Sequence, residues 1–351
     1  MSRRSIFLMT SENFEPPLKK LGYEIFWSFP FAYSLFYEGK DKAISNPQEL
    51  LKRFSDFKDR VLEFKPEYFF AEQWFFINLL SRIEPVNRNK TALMWAEFIG
   101  DLKKEGITPV IFCQDDPLPF LRLRKWGVGD LTNSFSVVAT HSLQMQPQYK
   151  RCGQKVIYFP SFISFNLPDK SVKERKPVDS KLLEFDLFFI GNMDFRRKVF
   201  FRLLSKKVKD LDYFFGYSKF YYTSRENIDF DIGDKYYLKT IYGQSSINLV
   251  YGSCADSFFN KTWGVTSRIF NISYSKGFFL CDYRRHLADL FDLDPKLYSF
   301  RSLAECCKKI RFYLEHPETK KELAEKIYSQ VISRYTADTV IGKLMQDIEN
   351  N

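Results

Sequence analysis

Residues 264–283 read GVTSRIFNISYSKGFFLCDY. The small and polar residues from Gly264 to Ser267 read as a loop. Arg268 and Asn271, three positions apart, share one face at the start of a helix predicted over Ser267–Ser275. Gly277 ends that helix, and the apolar run Phe278–Asp282 reads as a strand. A loop–helix–Gly–strand unit aims helix N-terminal amides, a guanidinium and a loop backbone at one point, which suits a diphosphate. It is also half of a βα repeat.

The repeat is there on both sides. Short apolar runs at Ser5–Met9, Tyr23–Ser28, Tyr68–Ala71, Pro109–Cys113, Ser136–Thr140 and Lys155–Phe159 predict strands, with helical periodicity between them. The longest early helix is predicted over Pro47–Phe64, with Asn46 as its cap and Leu50, Leu51, Phe54, Phe57, Val61 and Leu62 on one broad face. The stretch 166–182 is polar and charged, carries Pro168 and Pro177, and reads as a linker. Beyond it the alternation restarts, with strands at Phe185–Ile190, Tyr213–Tyr217 and Ile247–Tyr251 and a helix at Arg197–Val208. Helices over Leu303–Glu315, Pro317–Arg334 and Thr336–Ile348 close the chain. The expected organisation is a Rossmann-like α/β domain over 1–165, the linker, a second such domain over 183–335, and a C-terminal helix over 336–351 that packs back on the first domain.

With 351 residues and 45% hydrophobic content, two cores are within reach and disorder is excluded. The 38 Phe and 20 Tyr are mostly core. A net charge of +10 favours anionic partners: nucleotides, phospholipid surfaces or nucleic acid. Six scattered Cys form neither a CxxC pair nor a Cys/His cluster of zinc spacing, so no metal is expected and reduced thiols of a cytoplasmic protein fit best. The N-terminus has too short an apolar run for a signal peptide, and no apolar stretch reaches transmembrane length. Contact with a membrane is expected to be peripheral at most.

A second βα turn deserves to be set beside the first. Phe185–Ile190 runs into Gly191 and Asn192, and the next helix opens with Arg196 and Arg197. Glycine at the carboxyl end of a parallel strand admits a close backbone approach by a ligand. Two such turns of one sheet converge on one edge, bringing Arg268, Arg196 and Arg197 toward one pocket. There is no GxGxxG fingerprint, so a Rossmann dinucleotide site is not indicated.

The block from about Tyr242 to Arg334 resembles the C-terminal domain of GT-B-fold glycosyltransferases, most of all the spore-maturation-type branch of the group 1 glycosyl transferases. Ser246-Ile-Asn-Leu-Val, Gly264-Val-Thr-Ser-Arg-Ile-Phe and Gly277-Phe-Phe-Leu-Cys-Asp-Tyr carry the resemblance, and Phe189-Ile-Gly-Asn extends it back to the domain start. Gln114-Asp115-Asp116-Pro117, Thr140-His141-Ser142 and Tyr158-Phe159-Pro160 are similar pieces in the first half. The resemblance implies two Rossmann-like domains facing each other across a cleft. It also implies transfer of a sugar from a nucleotide-diphosphate-sugar donor, bound as substrate without a further cofactor.

On that analogy Arg268 holds the diphosphate, and Gly191, Asn192, Arg196, Arg197, Gly264 and Thr266 line the donor side. Asn271 then faces the ribose hydroxyls, where many relatives carry Glu; a neutral amide loses the charge-assisted bond. An inverting enzyme adds a base near the acceptor hydroxyl, and His141, Asp115 and Asp116 are the candidates. An Asp at such a strand end either serves as that base or simply turns the chain. His286 and His316 are expected on helical surfaces. The acceptor is expected to be a glycan, a lipid-linked sugar or a protein, met by loops at Phe29–Lys42, Trp74–Asn78 and Leu118–Asp130, while Phe258, Phe259 and Trp263 are placed to stack on a base or fill core. The alternative is a catalytically inactive sugar-nucleotide-binding or scaffolding protein, to which Asn271 points. Nucleic acid is not an expected partner, because the basic residues are spread along the chain and no nucleic-acid motif interrupts the βα pattern.

Overall fold

A computed structural model describes residues 4–9, 12–27, 37–38, 42–43, 47–114, 116–164, 180–217, 220–225, 234–252, 256 and 263–350. The chain divides into two compact units, one formed by Met1–Pro160 with Ala337–Asn351 and the other by Ser161–Thr336. Most of the stretch predicted as linker, and the loop residues 28–36, lie outside the described residues.

The first unit is built on six parallel strands: β1 (Ser5–Met9), β2 (Glu24–Trp27), β5 (Tyr68–Glu72), β6 (Thr108–Cys113), β7 (Val137–Thr140) and β8 (Lys155–Tyr158). Their order is β2-β1-β5-β6-β7-β8. A two-residue hairpin, β3 (Tyr37–Glu38) with β4 (Lys42–Ala43), stands apart from this sheet. Parallel strands are covered on both faces, which is why β1, β5 and β6 are near-continuous apolar runs. The helices are α1 (Glu15–Lys20), α2 (Pro47–Phe64), α3 (Gln73–Arg82), α4 (Pro85–Lys104), α5 (Leu118–Lys125), α6 (Asp130–Asn133) and α7 (Gln146–Arg151). α2 runs as predicted, although Leu51 is exposed rather than on the buried face. Its Phe54 and Phe57 pack edge-on or tilted against Trp95 and Phe98 of α4. Such aromatic pairs add about 0.5–1.5 kcal/mol each beyond their buried area.

Two segments expected as loops are helices. Gln-Trp-Phe-Phe-Ile-Asn-Leu-Leu from Gln73 is apolar nearly all round and forms α3, and Leu118–Lys125 forms α5. The final helix, α14 (Ala337–Glu349), belongs to the first unit, where Val340, Ile341, Leu344 and Met345 are buried. Its end is tied by Arg4–Glu349 at 2.9 Å and by Lys155 Nζ donating to the Ile348 carbonyl at 2.9 Å.

The second unit has the strand order β11-β10-β9-β12-β13-β14, with β9 (Leu187–Ile190), β10 (Tyr213–Tyr217), β11 (Phe220–Thr223), β12 (Ile247–Val250), β13 (Phe279–Asp282) and β14 (Ser299–Phe300). All pair in parallel except β10 with β11. Its helices are α8 (Phe195–Lys207), α9 (Lys235–Gln244), α10 (Arg268–Tyr274), α11 (Leu287–Leu290), α12 (Leu303–Glu315) and α13 (Pro317–Arg334). Ser302 caps α12 by accepting from the Glu305 N–H at 3.1 Å, and Pro317 opens α13. The chain leaves β9 for β10 on one side and returns to β12 on the other. That reversal is the switch point at which an open α/β sheet leaves a crevice beyond the strands' carboxyl ends.

No helix among the described residues is long and apolar enough to cross a membrane. Cys113, Cys152, Cys281, Cys306 and Cys307 are unbridged.

Candidate functional site

The residues singled out in the second half gather beyond the carboxyl ends of β9 and β12. β9 ends at Ile190, and the Gly191 N–H donates to the Gly216 carbonyl at 3.2 Å. A Cβ on Gly191 would fall 2.8 Å from Nη2 of Arg268 and 3.1 Å from the Phe189 ring. A side chain at 191 would therefore have to displace the Arg268 guanidinium from that space. Arg268 stacks on Phe189, with Cζ 5.1 Å from the ring centroid.

Two polar atoms of this turn have no partner. Nη1 of Arg268 and Oγ1 of Thr266 are both buried and make no hydrogen bond, and no described carboxylate pairs with Arg268. Among the described residues no acceptor takes the N–H of Thr266, Ser267 or Arg268 either. A buried donor left unmade costs about 1–3 kcal/mol, more when charged, so two within three residues call for a ligand. Tyr242, itself buried, has its phenol pushed up to about 12 by burial, while the charge of Arg268 and a side-chain hydrogen bond with it pull the other way.

Arg197 does something else. Asp194 caps α8 by accepting from the Arg197 N–H at 3.0 Å, and the Arg197 side chain is turned inward at 6% exposure. Its guanidinium donates to the carbonyls of Tyr251 at 2.9 Å, Asn192 at 2.8 Å and Gly252 at 2.8 Å. It therefore staples the β9 and β12 turns together instead of facing a ligand. The Asn192 backbone is one of its acceptors, while that residue is itself exposed. Arg196 is half-buried and lies 3.5 Å from both Asp194 and Asp256.

A buried ion cluster that sequence reasoning missed supports the same edge. Arg284, 5% exposed, forms a fork on Asp256 at 2.8 and 2.6 Å and reaches Asp282 at 2.8 Å. Burial opposes its charge, but the bonds and field of Asp256 and Asp282 outweigh that and raise its pKa above the ordinary value. Asp282 accepts from the Gly252 N–H at 3.1 Å, and Arg284 also reaches the Gly264 carbonyl at 3.5 Å. The cluster thus ties the β12 end, the β13 end and the loop before α10. Its signal was present as Asp282 and Arg284 flanking one residue at a strand end, but Asp256 is distant in sequence.

Asn271 does not face the same way as Arg268. Its Oδ1 accepts from the Ser164 N–H at 2.9 Å and from the Ser164 hydroxyl at 3.2 Å, and the side chain is 9% exposed. The amide expected to meet a ribose is engaged by the protein's own serine. The α10 end also departs from expectation: Lys276, not Gly277, takes the left-handed conformation with φ 58°. Gly277 is needed because a Cβ there would lie 2.0 Å from the Tyr242 carbonyl.

In the first unit Asp116 is 1% exposed at the end of β6. Its carboxylate accepts from the Thr140 hydroxyl at 2.8 Å and from the Tyr149 hydroxyl at 3.0 Å. Thr140 Oγ1 in turn accepts from the Ser142 N–H at 3.1 Å, so Asp116 shapes the turn that carries His141. His141 is half-buried at the end of β7. Asp115, Phe258 and Phe259 lie outside the described residues. Of the remaining histidines, His286 is buried beside Trp263 rather than on a helical surface, and His316 is exposed. Among the described residues no group of three or more His, Cys, Asp or Glu side chains is placed to hold a metal ion.

Residues 201–346 match the family model described as glycosyl transferase-like. Solved structures of similar fold include sucrose-phosphate synthase from Thermosynechococcus elongatus, at a TM-score of 0.59 and 10% identity, covering 99% of each chain. The Anabaena HepE protein in complex with UDP-glucose has a TM-score of 0.53 at 11% identity, over 99% of this chain and 92% of that one. A glycosyltransferase from Rickettsia africae has a TM-score of 0.53 at 10% identity over 100% of both. No curated protein sequence matches the chain. At such identities the likeness is one of fold. The chain has the GT-B fold, two parallel-sheet α/β domains.

Proposed function

We propose that this protein is a glycosyltransferase that takes a sugar from a nucleotide-diphosphate donor, most simply a UDP-sugar, the kind of ligand bound to the HepE neighbour. The reading rests on one observation: Arg268 Nη1 and Thr266 Oγ1 are buried without partners at the switch point of the second sheet. A diphosphate supplies the acceptors and the negative charge that both lack. Arg268, held on Phe189 and fitted over Gly191, is already oriented, so it needs little reorganisation as charge builds on the leaving diphosphate. Arg197 and the Arg284 cluster are positioning residues that hold the two turns in register. We assign the base to His141 and an anchoring role to Asp116, because the Asp116 carboxylate is enclosed and already bonded twice. The motifs around Gly264–Ile269 and Gly277–Tyr283 support placement in the spore-maturation-type branch.

For the surroundings, we propose an anionic membrane surface as a peripheral contact. Phe195, Val199 and Leu203 on the outer face of α8 are 70%, 43% and 46% exposed. Lys198, Arg202 and Lys206 border that stripe and supply the charge that anionic headgroups would meet.

The test is a melting series with UDP, GDP, ADP and their sugars, followed by a transfer or donor-hydrolysis assay with the best binder. A donor at a hundred times its Kd stabilises by about 2.7 kcal/mol. Binding with turnover supports the proposal, and no stabilisation by any nucleotide defeats it. Binding without turnover of any sugar form favours the second reading, an inactive sugar-nucleotide-binding protein, for which the Asn271–Ser164 bonding is the specific observation.

A further inference from the structure

The edge of the second sheet opposite Arg268 carries a separate groove of about 620 Å³. It lies before the amino ends of β12 and β13 and is closed on one side by α13. Two tight turns make its floor. A Cβ on Gly243 would fall 2.7 Å from the Ser275 carbonyl, and one on Gly277 would fall 2.0 Å from the Tyr242 carbonyl. The backbone of the floor is therefore in direct contact and its shape is set before any ligand arrives.

Lys276, Lys320 and Lys321 all line this groove, and among the described residues none of them is ion-paired. Lys276 has Nζ 5.4 Å from the Tyr328 ring centroid. Lys320 is half-buried, and burial lowers its pKa, with only the more distant Asp186 acting the other way. Glu325 is the one acidic side chain in the lining, which leaves a surplus of positive charge. A second, independent feature points inward. Ser245 is 4% exposed and lines the groove, yet its Oγ is buried without any hydrogen-bond partner. Unpaired lysines on a surface are ordinary, but a stranded hydroxyl in the lining they share is not.

We propose that this groove is a second ligand site, separate from the donor site and independent of its reading, that takes a small phosphate monoester carried on a hydroxyl-bearing ring. Three lysines act as point charges around one phosphate, a task that needs no guanidinium fork. Ser245 Oγ donates to a phosphate oxygen. Tyr328 gives an aromatic wall for the ring, and Glu325 accepts from its hydroxyls. The groove holds a monosaccharide phosphate or a nucleoside monophosphate but is too short for a polynucleotide track.

The experiment uses the full chain and two probes, glucose 6-phosphate and AMP, followed by melting and calorimetry at constant ionic strength. At least one probe is expected to bind saturably with one site per chain. The double variant Lys320→Ala/Lys321→Ala, which alters only side chains at the rim, should weaken that binding at least about tenfold. Ser245→Ala should weaken it severalfold, and Arg268→Ala should leave it unchanged. The UDP-induced stabilisation should show the reverse pattern. The proposal is overturned if neither probe binds at millimolar concentration, if sodium chloride reproduces the effect, if the lysine variant binds as the parent does, or if Arg268→Ala abolishes binding of the probe.

Discussion

Replacing Arg268 by Met should leave the free protein at least as stable and make it blind to its donor. Removing the guanidinium deletes a buried donor that lacks a partner, a defect worth about 1–3 kcal/mol. It also deletes the contact with Phe189, about 0.5–1 kcal/mol, but a thioether over the same ring returns about 0.3–1.5 kcal/mol. These last two nearly cancel, and the buried Tyr242 phenol loses its bond to Arg268, about 0.5–1.5 kcal/mol, leaving a net gain of up to about 2 kcal/mol, in line with apolar replacement of poorly compensated buried charge. For a unit the size of Ser161–Thr336, each kcal/mol moves the midpoint by about 2–4 °C, so the variant should melt with the parent or up to about 8 °C higher. With UDP at a hundred times its Kd the parent gains about 2.7 kcal/mol and overtakes the variant, whose midpoint should not move. Scanning calorimetry of both proteins with and without UDP reads all four midpoints. A variant that melts well below the parent, or that keeps the UDP-induced rise, would refute the view of Arg268 as an unsatisfied cation awaiting a diphosphate.

Arg197→Met should behave in the opposite way, because three backbone carbonyls lose their donor; a loss of at least about 3 kcal/mol in denaturant unfolding is expected, and a stable variant would count against the staple. Asp116→Asn should cost about 1–3 kcal/mol through weaker bonds to Thr140 and Tyr149 while leaving kcat of the folded protein within about threefold; a fall of a hundredfold or more with the fold intact would make Asp116 the base after all. Tyr242 sets an alkaline limit: its folded pKa of about 12 lies above the ordinary 10.0, so the stability it contributes is complete below pH 10 and is lost as pH rises toward 12. That contribution is about 2–3 kcal/mol, and Tyr242→Phe should remove this portion of the pH dependence, as read by unfolding at pH 9 to 12. Flotation with phosphatidylglycerol vesicles should recover the parent protein at low salt, and Leu203→Glu should abolish recovery; equal flotation of the two would exclude α8 as the lipid contact.

Long periodic segments could be read almost to the residue. The helices at Pro47–Phe64, Leu303–Glu315 and Pro317–Arg334 have the predicted bounds, because proline at the first helical position and apolar spacing are local signals. The strand Tyr213–Tyr217 has its predicted bounds too, whereas its antiparallel neighbour Phe220–Thr223 has no alternation to betray it. Gln73–Leu80 was misread for the reason that makes it a helix here. It is apolar on nearly every face and packs deep in the core, so it lacks the polar face that marks an amphipathic helix.

Local chemistry alone determined that this chain would form βα units, where the second half begins its repeat, and that Gly191 and Arg268 stand at strand-to-helix turns. It could not separate Arg268 from Arg197, since both are arginines opening a helix after a parallel strand. Their roles diverge only in three dimensions. Arg197 meets three carbonyls of neighbouring turns, while Arg268 meets an aromatic ring and the Tyr242 phenol and leaves its Nη1 unpartnered. The same holds for Asn271, whose partner Ser164 is 107 residues away, and for Asp256, Asp282 and Arg284. Backbone periodicity is written in neighbours along the chain, but whether a charge is satisfied depends on atoms brought close by the sheet, and those are far apart in the sequence.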